Sequence, residues 1–174
     1  MNKVTNTALF SKIPYFLQPL FTKTTFPWQI IPAIKSFIQI LISQGLPGYE
    51  LVRDGVLIEK DAKIHDSSVI CGPSIIGNAE IRPGAYIRGG AIICDSCVVG
   101  NSTEIKNSIL LEGAATPHYN YVGDSILGAF SHLGAGVICS NLKSDKSNVT
   151  IRINDGIDTG LRKLGAIVGD HAEI

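Results

Sequence analysis

"IRPGAYIRGGAIICDSCVVGNSTEIKNSILLEGAAT", residues 81–116, divides into sixes that each open on an aliphatic residue: IRPGAY, IRGGAI, ICDSCV, VGNSTE, IKNSIL and LEGAAT. Upstream, IEKDAK, IHDSSV, ICGPSI and IGNAEI hold the same beat from Ile58, joined to the rest by one shorter step. The fifth place is usually Ala, Ser, Thr or Cys. A period of two marks a strand with one buried face, and a period near 3.6 marks a helix. Six fits neither. It fits an all-β solenoid, a triangular parallel β-helix in which three hexads complete each coil. The aliphatic residue fills the interior, and the small one lets the chain turn a tight corner.

The remaining sequence divides around this repeat. Phe10, Tyr15, Phe16, Phe21, Phe26, Trp28 and Phe37 crowd the first quarter, and Phe130 is the only later Phe. That shift predicts an N-terminal helical, aromatic-rich segment over residues 1–50 and a β-helix over residues 51–174. Within the first part, Pro32 to Ser43 reads as a helix, with Pro in its first turn and Gly45 past its end. Lys35, Ser36, Gln39 and Ser43 form its polar face. Residues 140–163 leave the beat and predict a protruding loop. In it NVTIRIN alternates and Asp155-Gly156 gives a hairpin turn signal. The beat resumes at VGDHAE, 168–173, and the chain ends at Ile174, the first place of a further hexad. Further C-terminal coils are expected to be missing.

Composition narrows the function classes. Fifteen Lys and Arg balance fifteen Asp and Glu, so no global charge draws the chain to nucleic acid or to a membrane surface. No charged leader with a cleavage site opens the sequence, and the longest apolar run is too short for a membrane span. A cytoplasmic protein is expected. Its four cysteines read as free thiols. Cys94 and Cys97 form a CxxC, yet the hexad register points Cys94 outward and puts Cys97 at a corner. With Cys71 at another outward place and Cys139 on the aliphatic beat, the four do not converge, and no metal site is predicted.

The beat breaks in TPHYNYVGDS, residues 116–125. His118 sits there after Pro117, which fixes the backbone. An imidazole with an unperturbed pKa near 6.5 accepts a proton at neutral pH; a buried, merely satisfied His is the bland alternative. His65 and His171 occupy outward places, and His132 ends the hexad LGAFSH. Arg88 and Lys106 are separated by one full coil, so they should stack outward in adjacent coils, roughly 4.8 Å apart. Stacked cations repel unless an anion lies between them. A bound phosphate would explain the pair, and two solvated surface cations would explain it as well.

Around His118 the segment VGNSTEIKNSILLEGAATPHYNYVGDSILGAFSHLGAGVICSN resembles a known family. It is similar to the left-handed β-helix hexapeptide-repeat acyltransferases, and within them to the acetyltransferase half of bifunctional glucosamine-1-phosphate acetyltransferase/N-acetylglucosamine-1-phosphate uridyltransferase. NLKSDKSNV and DTGLRKLGAIVGD resemble the archaeal-type sugar-phosphate members most. The resemblance implies N-acetylation of an amino-sugar 1-phosphate by acetyl-CoA, in UDP-N-acetylhexosamine biosynthesis, by a homotrimer whose site lies between subunits. It implies a general base at His118, substrate contacts at Arg88, Lys106, Tyr121 and Asn141, and a backbone contact to the acetyl thioester at Ala135. The chain departs from the family pattern too. His132 stands where bacterial relatives have Asn, Leu142 where an aromatic often follows the loop Asn, and Ser147 where a lysine is expected. No Gly-rich nucleotidyltransferase loop occurs, so uridyl transfer by this chain alone is not expected. The missing coils and altered loop leave a second class open: a non-catalytic trimeric scaffold, or a regulatory partner of a separate nucleotidyltransferase. A nucleotide-linked amino sugar is a further candidate acceptor.

Overall fold

A computed structural model of the chain describes residues 2–153 and 156–174. It is a parallel β-solenoid of about five turns with a short helical segment. Three ladders form its sides. The first face holds strands Val56–Glu59, Ser74–Ile76, Ala91–Ile93, Ser108–Leu110, Ile126–Leu127 and Ile167–Val168, edged by antiparallel Tyr49–Arg53. The second holds Lys63–Ile64, Glu80–Ile81, Val98–Asn101 and Ala115–His118. The third holds Val69–Ile70, Tyr86–Ile87, Glu104–Lys106, Tyr121–Gly123 and Ile138–Cys139. The beat residues Ile81, Ile87, Ile93, Val99, Ile105 and Leu111 are all buried and make the interior.

Most coils are shorter than the repeat predicts. Tyr86 pairs with Glu104, a full three hexads on. Val69 with Tyr86, Glu104 with Tyr121 and Tyr121 with Ile138 each pair one place short of that. The ladders hold the aliphatic beat in place, so the missing residue is taken up at the corners. There the chain enters the left-handed region of φ in columns: Gly84, Ser102, Tyr119 and Gly136; Gly90, Asn107 and Asp124; Ser96, Gly113 and Phe130. The next residue is small and buried in most cases, such as Ala85, Ala91, Cys97, Thr103, Ser108, Ala114, Ser125 and Ser131. In IRPGAY, IRGGAI, ICDSCV and VGNSTE this residue is the small fifth place of the hexad; in IKNSIL and LEGAAT it is the fourth.

The first face is covered rather than open. Helix Ile34–Gln44 ends on Gly45 at φ 75°, and its Ile34 and Ile38 are fully buried against the strands of that face. Preceding it are short helical turns held by aromatic contacts, Phe10 edge-on to Phe21 and Phe26 stacked on Trp28. Asp170 ties this segment to the last coil: its carboxylate accepts from the Ser11 N–H and hydroxyl and from the Ala129 N–H. The cover corrects one expectation. Cys94 does leave the solenoid interior, yet it is 2% exposed, because the N-terminal segment lies over it.

The protruding loop departs after Ile138–Cys139, and the chain returns to the first face at Ile167, which pairs with Ile126. The step between those two partners is one short coil with the stretch 140–163 inserted. Leu142 bridges Lys163 at the loop's neck, and Thr150–Ile151 pairs antiparallel with Ile157–Asp158. The hairpin is therefore present; Asp155 of its expected turn lies outside the described residues. Among those residues no single helix is long and apolar enough to cross a membrane.

Candidate active site

The break in the beat is built on a glycine. Strand Ala115–His118 lies on Val98–Asn101, with His118 opposite Asn101. Pro117 passes over Gly100 so closely that a Cβ there would overlap the Pro117 carbonyl. Above, the Gly136 N–H donates to the His118 carbonyl at 3.0 Å. The backbone at His118 is thus fixed from both sides, while its ring is exposed and has no hydrogen bond among the described residues. The reading of His118 as a buried, satisfied residue is excluded.

Tyr119 turns the corner at φ 52°, and Asn120 follows where other corners carry Ala, Ser or Thr. Asn120 is 2% exposed; its Nδ2 donates to the carbonyls of Gly134 at 2.8 Å and Val137 at 3.3 Å, and its Oδ1 accepts from the His118 N–H. A buried amide left without these partners would cost about 1–3 kcal/mol. Asn120 therefore clamps the LGAG segment, residues 133–136, onto the coil that carries His118. Ala135 in that segment is exposed, and its N–H has no hydrogen bond among the described residues.

The other candidates meet at the opposite edge of the third face. Gly123 pairs with Lys106 one coil below. A Cβ on Gly123 would lie 2.5 Å from the Tyr121 hydroxyl and 2.8 Å from Asn141 Nδ2. The bare glycine thus lets the Tyr121 ring fold along the face until its hydroxyl approaches the Asn141 amide. Lys106 Nζ donates to Asp124 Oδ2 at 3.0 Å, and Asn141 Nδ2 donates to the same oxygen. Arg88 follows in the coil below Lys106 and donates to Glu104 at 2.7 Å. The two cations are stacked as predicted, and each carries a carboxylate partner. Glu104 and Asp124 supply the neutralisation that the stacking demanded, so a phosphate is not required to explain it.

Tyr121, Lys106 and Asn141 come together. His118, at the end of the second face, and Ala135 stand at the corner that leads into the third, and Tyr121 begins the strand that follows that corner. The face is open. Two cavities, of about 820 and 680 Å³, lie instead beside the N-terminal segment, the first lined by Tyr15, Phe16, Leu41 and Tyr49, the second by Lys12, Asp95 and Glu112. They hold none of the predicted residues. His132 is exposed, as are His65 and His171. Burial pushes the Cys94 thiol well above its usual range, raises Cys97 to about 12 and raises Cys139, which leaves all three poor nucleophiles.

Asn120, Gly123 and Asp124 carry no role in the sequence reading. A signal exists for Asn120, an oversized polar residue at the small place of a corner. Asp124 has a weaker one, since it stands one short coil after Asn107 and one short coil before Asn141.

No protein-family model matches the chain. It is similar to the bifunctional sugar-1-phosphate nucleotidylyltransferase/acetyltransferase of Sulfurisphaera tokodaii, 38% identical over 161 residues, with 83% of this chain and 38% of that protein covered. Bifunctional protein GlmU of Methanococcus maripaludis is 46% identical over 70 residues, covering 40% of this chain and 17% of that one. Among solved structures, the acetyltransferase domain of PglB from Neisseria gonorrhoeae FA1090 matches with a TM-score of 0.42 and 21% identity, covering 60% of each chain. The chain spans well under half the length of the two curated relatives.

Proposed function

We propose that the chain is an N-acetyltransferase that moves an acetyl group from acetyl-CoA to the amine of an amino-sugar 1-phosphate, and that it acts as a homotrimer. The observation that carries this reading is the meeting of Lys106, Tyr121 and Asn141 around Gly123, on the face that begins past the corner at His118. Lys106 and Arg88 would take the phosphate by sharing donors now given to Asp124 and Glu104. An ammonium has three N–H donors and a guanidinium five, so neither cation must leave its carboxylate. The Tyr121 hydroxyl and Asn141 amide would orient the sugar ring.

In the reaction the amine nitrogen bonds to the thioester carbonyl carbon, the C–S bond breaks, and the coenzyme A thiolate leaves. The exposed, unpartnered His118 ring would take the proton that the nitrogen loses. The free Ala135 N–H would donate to the oxyanion that forms on the carbonyl. The open face supports the trimer, because a second wall from a neighbouring subunit would close it against water. Relatives named for acetyl transfer and sugar 1-phosphates agree with the substrate class. Release of coenzyme A thiol, measured across a panel of amino-sugar 1-phosphates and their unphosphorylated forms, tests the reading. Release that requires both the amine and the phosphate is expected; none from any member would leave the scaffold alternative.

A further inference from the structure

Asp124 is placed where a carboxylate is costly to hold. Its side chain is 6% exposed, and burying an anion is unfavourable unless it is paired and hydrogen-bonded. Three donors from two segments meet it: Lys106 Nζ on Oδ2 at 3.0 Å and Asn107 Nδ2 on Oδ1 at 2.7 Å from the coil below, and Asn141 Nδ2 on Oδ2 from the coil above. Its backbone is committed as well. The Asp124 N–H donates to the Lys106 carbonyl, and its own carbonyl accepts from Gly165, where the loop rejoins the solenoid. Leu164 closes the neck by donating to the Asn141 carbonyl.

The open face depends on this arrangement. Lys106 lies on a strand fixed by its ladder, but its ammonium ends a flexible stem that has several rotamers. Asn141 opens the excursion over 140–163. Neither side chain has a fixed position by itself. One oxygen of Asp124 accepts from both, so the cation and the amide are held a fixed distance apart before any ligand arrives. A neutral isostere cannot do all of this: an asparagine at 124 has no charge for the ammonium and one acceptor oxygen, so its NH2 must face either Asn107 Nδ2 or the Lys106–Asn141 pair.

We propose that Asp124 is a positioning residue of the acetyl-acceptor site, setting the Lys106 ammonium and the Asn141 amide in the relative position that an amino-sugar phosphate recognises. The proposal rests on the function proposed above. Asp124 touches no substrate atom and acts only through its two partners. Its effect belongs to acceptor binding and not to the chemical step.

The test compares the full chain, Asp124→Asn, Lys106→Met and the double variant by thiol release and by calorimetric binding of glucosamine 1-phosphate. Asp124→Asn is expected to raise KM for the sugar phosphate about tenfold or more, as loss of a charge-assisted contact does. Its kcat and its KM for acetyl-CoA should stay within about threefold of wild type. On the Lys106→Met background the same change should raise KM by clearly less, because the two act as one unit. Effects that multiply in full, or a variant that binds the sugar phosphate as wild type does, overturn the proposal. If Asp124→Asn does not fold, the double variant, which leaves no lone charge at the corner, decides alone. KM close to that of Lys106→Met supports the role, and a further tenfold rise refutes it. Wild type that neither binds nor turns over any amino-sugar phosphate overturns the functional reading, and this proposal with it.

Discussion

His118 and Asp124 lie one hexad apart and are held in opposite ways. The His118 backbone is locked between Asn101 and Gly136, but its ring is free; the Asp124 side chain is surrounded by donors. Removing an exposed ring with no partner should cost the fold at most about 0.5 kcal/mol. His118→Ala is therefore expected to keep the wild-type melting temperature while kcat falls by roughly 10²- to 10⁴-fold, the usual contribution of a general base. Its residual rate should climb with pH, because an amine that is already deprotonated needs no base. A variant that retains wild-type kcat removes His118 from the mechanism, and one that melts early makes it structural. The sequence revealed His118 because the break in a strict period is visible in one dimension. Asp124 breaks no period and gave only the weaker signal of its spacing: its partners lie a whole coil away on either side, and only the coil register brings them together.

At the scale of the coil, two glycines separate the needs of the fold from those of the site. Gly100 has backbone above it, the Pro117 carbonyl standing where a Cβ would go. Gly123 has only the ends of side chains, Tyr121 and Asn141. Gly100→Ala must push strand Ala115–His118 off its ladder and is expected to destabilise by about 1–3 kcal/mol or more, as overpacking does. Gly123→Ala should leave the melting temperature within a few degrees, since Tyr121 can swing away, but raise the acceptor KM. Paired thermal melts and steady-state assays check the contrast; equal destabilisation by both would show that the Tyr121–Asn141 approach is not a separable feature. The hexad beat made the ladders readable, but not their register. One residue is lost in most coils, at corners where left-handed backbone tolerates it, so a ruler of three hexads drifts. It succeeded for Arg88 and Lys106 because the coil from Tyr86 to Glu104 keeps all three hexads whole. The cover on the first face was not readable at all, since the aromatic quarter has no period that says what it packs against.

The whole molecule has three faces, and one of them is taken. The N-terminal segment lies over the first, which leaves the second and third for any neighbour. On the third face Val69, Tyr86 and Ile138 are 52%, 41% and 60% exposed, and pairing through Glu104 and Tyr121 puts them in one column. This column, apolar at both ends with the Arg88–Glu104 ion pair and Tyr121 between, gives an association surface that would close the site as it forms. The proposed trimer should therefore be dismantled from this column. Ile138→Glu places a charge at the end of the column and is expected to shift sedimentation from trimer to monomer at micromolar concentration. The substitution replaces an exposed side chain, so each subunit should keep its far-UV circular dichroism and most of its thermal stability. Turnover should fall with the trimer and recover in part at high protein concentration, because association is governed by mass action. Wild type that sediments as a monomer and still releases thiol at full rate would remove the trimer. A variant that stays trimeric would move the interface to the second face, whose strand Ala115–His118 carries the proposed base.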